Sequence, residues 1–156
     1  MEGQMEYTEL ANKLDAAGCR TFWFGAANKE QILGLETLLG VSLPQQFADF
    51  LGELGGGGVE GDEISGIDGV AEREGFGTVW GDTKRLRETF GLADHLIVLR
   101  VDEEEYAWCL DCGQDSSGSV VALFLGVDEK ASVVAPDFDS YFVEYVATQI
   151  DIEQKS

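Results

Sequence analysis

Basic residues are scarce in this chain of 156 residues: 10 Lys and Arg stand against 30 Asp and Glu, a formal net charge of −20 at pH 7. Such a chain has no basic face with which to displace counterions from a phosphate backbone, so direct nucleic-acid binding is not expected. The same deficit argues against adhesion to an anionic membrane surface. Histidine occurs once, at His95, which leaves a histidine-rich metal site without ligands. Cysteine occurs three times, an odd number in a chain long enough to fold without staples, so reduced thiols in a cytoplasm are expected. The longest strongly apolar stretch, Val120 to Val127, is far too short to span a bilayer. The opening MEGQMEYTEL has neither the basic start nor the apolar stretch of a signal peptide. With only two prolines, the 20 glycines do not read as low-complexity linker. Apolar residues, at 44%, suffice for one core. The expectation is one soluble, acidic, cytoplasmic domain over 1–156, with its core at about 20–150 and 151–156 as a frayed tail.

Periodicity supplies the elements. Tyr7, Leu10 and Leu14 fall at helical spacing before Gly18, and Phe22-Trp23-Phe24 reads as an extended segment or an anchor onto the core. Asn28 followed by Gln31 predicts a capping box for a helix over 29–39, with Gly40 as its C-cap. Ser42 and Gln45 suggest a second box, with Pro44 in the first turn of a helix that buries Phe47, Phe50, Leu51 and Leu54. Residues 59–77 are the most polar stretch, read as exposed loop with a short strand anchored by Ile64, Ile67 and Val70. Asp82 is expected to cap a short helix through Leu86 and Phe90 that ends at Gly91. Its Lys84, Arg85 and Arg87, the only basic cluster, read as a solvated face offsetting local acids. Strands are predicted over Leu96 to Val101, Tyr106 to Leu110, Val120 to Val127 and Ala131 to Ala135. Asp137 then caps a closing helix lined by Phe138, Tyr141, Phe142, Tyr145, Val146 and Ile150. Short connections require antiparallel pairing. The fold class is therefore α+β, a twisted, mainly antiparallel sheet with helices packed against it.

Catalytic patterns are sparse. Cys109 and Cys112 form a CxxC that Cys19 and His95 would bring to four zinc ligands, but the latter two are isolated in sequence and a zinc ribbon normally brings a second close pair. Cys109 also alternates with Trp108 and Leu110 as a strand residue would, and a core position suffices. The glycines Gly55 to Gly58 follow a helix and precede acids, the reverse of a phosphate loop, so they read as a C-cap and a turn of positive φ. No metal or cofactor is expected, nor an enzymatic role.

The carboxylates remain. Glu60, Asp62, Glu63 and Asp68 cluster in the polar segment, and Asp102, Glu103, Glu104 and Glu105 sit consecutively at a predicted hairpin tip, followed by Tyr106. The plain alternative is a well-solvated surface turn; the spacing of a calcium-binding EF-hand is missing. As a functional surface these acids would recruit a cationic protein and raise encounter rates towards ~10⁸–10⁹ M⁻¹s⁻¹ at low salt. Buried anchors would still be needed for affinity, with Tyr106, Phe76 and Trp80 as candidates. The candidate partner-binding residues are Asp62, Glu63, Asp68, Asp102, Glu103, Glu104, Glu105 and Tyr106.

The order of motifs resembles a known family. Leu39-Gly40-Val41, Leu43-Pro44, Phe47, Phe50-Leu51 and Gly55 to Gly58 match in order the N-terminal signature of the SUKH superfamily, the Smi/Knr-type domain. GLADHLIVLR and YAWCLD resemble its paired strands, and VVAPDFDSYFVEYV its closing helix, so the likeness spans about residues 28 to 148. One departure is Leu54, where members commonly carry Asn before the glycines. The resemblance implies an α+β fold without enzymatic activity. Many bacterial members are immunity proteins that neutralise a cognate polymorphic toxin, often a nuclease; other members, mainly fungal, are regulatory scaffolds in cell-wall signalling. A basic toxin partner suits the charge of this chain, which implies a protein-protein interaction by a monomer or weak dimer. The alternative is a non-enzymatic regulatory scaffold or peptide-binding protein.

Overall fold

The computed structural model describes residues 6–113, 118–126 and 131–155. In chain order these form α1 (Tyr7–Ala16), β1 (Thr21–Trp23), α2 (Lys29–Leu39), α3 (Gln45–Glu53), β2 (Gly57–Val59), α4 (Val79–Phe90), β3 (Leu96–Asp102), β4 (Tyr106–Asp111), β5 (Val120–Phe124), β6 (Ser132–Ala135) and α5 (Phe138–Gln154). Strands β3-β4-β5-β6 make an antiparallel meander, and β1 and β2 pair as a separate two-stranded sheet. The α+β architecture expected from the sequence is the one observed. Among the described residues, no helix is long and apolar enough to cross a membrane.

Both faces of the meander carry buried residues along β3, β4 and the first half of β5, while Phe124 and residues 132–134 are exposed. Ile97, Leu99, Leu110 and Val120 join the main core with α1, α2, α3 and α5, while Leu96, Val98, Ala107, Cys109 and Val121 pack with Leu86 of α4 in a second cluster. Phe50 is the hub of the main core: its ring centroid lies 5.6 Å from Tyr7, 4.9 Å from Phe138 and 5.2 Å from Phe142. The period-3.6 stripes of α1, α3 and α5 converge there.

Local signals are confirmed where side chains could close the backbone by themselves. Asn28 accepts from the Gln31 N–H and Gln31 from the Asn28 N–H, completing the capping box, and Gly40 adopts the left-handed conformation at φ 76°. Asp137 caps α5 through the Ser140 N–H. Elsewhere tertiary contacts win. Pro44, not Ser42, is the N-cap of α3, and no side chain caps it. The preceding Leu43 N–H is bound instead by the Glu36 carboxylate at 2.7 Å. Thr78 caps α4 through the Gly81 N–H, which leaves Asp82 one turn inside the helix and buried. Helix α5 continues to Gln154, and Lys155 pairs with Asp151 at 3.0 Å across its last turn. β5 ends at Phe124, and Val127 lies outside the described residues.

The largest departure concerns residues 64–67. Ile64 and Ile67 are fully covered, Val70 is exposed, and no regular strand forms among them. Isolated bridges, Gly57 to Ile64 and Gly66 to Thr78, stitch this segment between β2 and the start of α4. Gly55 to Gly58 do more than stop α3. All four have positive φ, and Gly57 and Gly58 pair with Trp23 and Phe22 of β1.

A bulge in β3 decides where Arg100 points. The register of β3 against β4 slips between Val98, opposite Cys109, and Arg100, opposite Trp108. Strict alternation would put Arg100 on the same face as Val98, towards α4. The bulge turns it to the Trp108 face instead.

Candidate functional site

A cleft of about 530 Å³ opens where β1, residues 61–65, the start of α4 and the β3–β4 turn meet. Each wall has a traceable origin. Phe22 and Phe24 of the β1 segment alternate with core-packed Trp23, and their rings meet edge-on at 5.4 Å. The loop carrying Asp62 and Glu63 is tied down by α5: the Tyr145 hydroxyl accepts from the Val59 N–H at 2.9 Å and donates to the Asp62 carbonyl at 2.7 Å. Burial holds the Tyr145 phenol well above its ordinary pKa and pushes Tyr141 up to about 12, so both stay neutral hydroxyls beneath the cleft.

Two guanidiniums stand among the acids. Arg100, delivered by the bulge, lies 4.3 Å over the Trp108 ring and pairs with Asp62 at 3.1 Å. Arg85 lies 4.5 Å over Phe76 and pairs with Asp82 and Glu104, each at 3.0 Å. Asp82 also accepts from the Ser65 hydroxyl at 2.6 Å. Five carboxylates, from Asp62, Glu63, Asp82, Glu103 and Glu104, thus line the cleft together with Arg85, Arg100, Phe22 and Phe24. Phe76 is 80% exposed and Phe22 56%.

Four of the eight residues singled out from sequence, Asp62, Glu63, Glu103 and Glu104, come together here although the two clusters are remote in the chain. The other four do not line the cleft. Asp68 pairs with Arg73 at 3.8 Å. Asp102 and Glu105 close the hairpin turn, the Glu105 N–H donating to the Asp102 carbonyl at 3.0 Å. Tyr106 packs its ring against Trp108 and Phe124, at 4.7 and 4.9 Å. Of the proposed anchors, Phe76 lines the cleft, whereas Trp80 is packed against the core. Sequence reasoning missed Phe22, Phe24, Arg85 and Arg100 as cleft residues. The alternation in Phe22-Trp23-Phe24 was the available signal for the first two. Nothing local announced the bulge that redirects Arg100. The basic stretch of α4 is also less solvated than expected: Arg85 and Lys84 are half-buried and paired, Lys84 with Glu74 at 3.2 Å.

The hairpin turn is strained. Glu103 and Glu104 take φ values of 53° and 57°, a left-handed stretch that normally selects Asn and Gly. The double substitution Glu103→Asn with Glu104→Gly is expected to stabilise the fold by about 1 kcal/mol. Thermal unfolding would show this as a rise of about 3 °C. The paired Glu→Gln variant, which removes the same charges but keeps both strained Cβ atoms, should gain less. Equal gains would assign the effect to repulsion rather than backbone geometry. Where glutamate persists at two such positions facing a cleft, strain is a pointer to function.

The cysteines read differently. Burial pushes the Cys109 and Cys112 thiols up to about 12, so neither offers a thiolate at neutral pH. Cys19 sits in the main core, its thiol against the Gln149 carbonyl, while Cys109 belongs to the cluster on the opposite face of the sheet. Among the described residues, no group of three or more His, Cys, Asp or Glu side chains is arranged to hold a metal ion.

With the fold in place, comparison with known families gives one decisive match. The model of the SMI1-KNR4 cell-wall family covers residues 8–147, from the first turn of α1 into α5. The chain belongs to that family, within the SUKH superfamily. No curated protein matches it. In this SUKH domain the matched span includes β1 and the whole cleft, so the walls that carry Phe22, Asp62 and Glu104 are built from the family's own elements rather than from an appended segment.

Proposed function

We propose that this SUKH domain is a cytoplasmic immunity protein that binds a cognate basic toxin, of nuclease type, and covers its active site without catalysing a reaction. The observation that carries the reading is the cleft itself, where acids from two remote segments surround exposed phenylalanines. Charge alone would give fast but loose encounters; exposed rings beside the charges supply the apolar contact that specific affinity requires. A nuclease that grips phosphates needs a basic groove, and an acidic plug with apolar anchors complements it. At a net charge of −20 the chain repels its own copies, which favours a monomer or weak dimer awaiting a partner of opposite sign.

The test is whether a toxin gene lies beside this one and whether co-expression of this chain rescues cells poisoned by its product. The wild-type chain is expected to rescue growth, and Glu63→Lys with Glu103→Lys to lose rescue. In purified components the same pair should slow association by about tenfold or more and flatten its salt dependence. Unchanged rescue and unchanged kinetics would remove the cleft from the docking face. Binding of a basic partner without any rescue would favour a regulatory or peptide-binding role.

A further inference from the structure

The cleft already holds two cations, and both are held alike. Arg85 and Arg100 each lay a guanidinium over an aromatic face, at 4.5 and 4.3 Å, while pairing with a carboxylate at 3.0 and 3.1 Å. A planar guanidinium can stack and donate in its own plane at once, which a lysine ammonium cannot. Similar ingredients lie beside them. Phe22 is exposed with no guanidinium on its ring, Phe76 stays 80% exposed although Arg85 already lies over it, and among the described residues neither Glu63 nor Glu103 has a basic partner.

The geometry points to an arginine-selective docking site in this open half of the cleft: the partner seats an arginine side chain against the exposed rings of Phe22 and Phe76, with its guanidinium on Glu63 and Glu103. This rests on the docking function proposed above and names the chemical group through which the partner is read. The occupant is a foreign cationic protein rather than a second copy, because a copy carries the same net charge of −20.

The test uses the full chain and two short capped peptides of equal length, one alternating glycine with arginine and one alternating glycine with lysine, titrated by calorimetry at low salt. The arginine peptide is expected to bind about fivefold tighter. Phe22→Leu and Phe76→Leu keep apolar bulk, lie at exposed positions and should erase that preference. Glu63→Gln with Glu103→Gln should weaken both peptides. Equal binding of the two peptides by the wild-type chain, or a preference that survives both Phe→Leu variants, overturns arginine selectivity while leaving an acidic docking face intact. Failure of both peptides to show any salt-dependent binding overturns the selectivity and the docking face together.

Discussion

Gly66→Ala is expected to remove about 3–5 kcal/mol of stability, or to prevent folding outright. A Cβ at Gly66 would stand 1.9 Å from the Gly55 carbonyl oxygen and 2.5 Å from the Gly56 Cα, backbone atoms with no rotamer to yield. The backbone of Gly66 itself is one that alanine can adopt, so the penalty is steric rather than conformational. Relief requires the two segments to part. That would break the Ile67 N–H bond to the Gly55 carbonyl at 2.8 Å, and strain those linking Gly66 to Gly77 and Val79 at 3.0 and 2.9 Å. Each is worth about 1 kcal/mol net, and the fall in melting temperature should reach about 10 °C. Gly52→Ala is the control. It lies in α3 with open space around its Cα, and it should be neutral or gain up to about 1 kcal/mol from helix propensity. If Gly66→Ala melts within a degree or two of wild type, the close crossing at the glycines is not there.

This crossing also marks where sequence reasoning reaches its limit. Helix α2 was legible to the residue because Asn28, Gln31 and Gly40 close its ends with local hydrogen bonds, independent of the rest of the chain. The aromatic face of α5 was equally legible, since Phe138, Phe142 and Val146 declare their burial by spacing. By contrast Ile64 and Ile67 sit in a stretch dominated by acids and glycines. Their burial depends on β2, Thr78 and Leu99, contacts made across the chain. Asp82 looked like a cap because aspartate favours that role, and Thr78, four residues earlier, took it. The candidate site divides along the same line. Its acids could be named from composition, but their convergence with Phe22 and the capture of Arg100 by Trp108 depend on a β-bulge and a loop tied to α5. Resemblance of motifs reached the family because those motifs are apolar and glycine positions that build the fold. It did not reach the cleft, whose residues lie largely between them.

Asp82→Ala should be the most damaging single change among the cleft residues, removing about 3 kcal/mol. The Asp82 side chain is only 5% exposed, and it takes hydrogen bonds from the buried Ser65 hydroxyl at 2.6 Å and from Arg85 at 3.0 Å. Truncation leaves the buried Ser65 hydroxyl without its carboxylate acceptor and takes from Arg85 one of its two carboxylate partners, Glu104 remaining. Asp82→Asn retains the volume and one carbonyl acceptor, so it should lose about half as much. The diagnostic variant is Asp82→Ala combined with Arg85→Leu. Removing a guanidinium left with one carboxylate partner should return part of that loss relative to Asp82→Ala alone, because the cost of an under-compensated, half-buried charge disappears with it. Strict additivity of the two substitutions in urea unfolding would mean that Asp82 and Arg85 are not energetically coupled. The Arg85 guanidinium over Phe76 would then be a surface contact rather than a fixed part of the cleft wall.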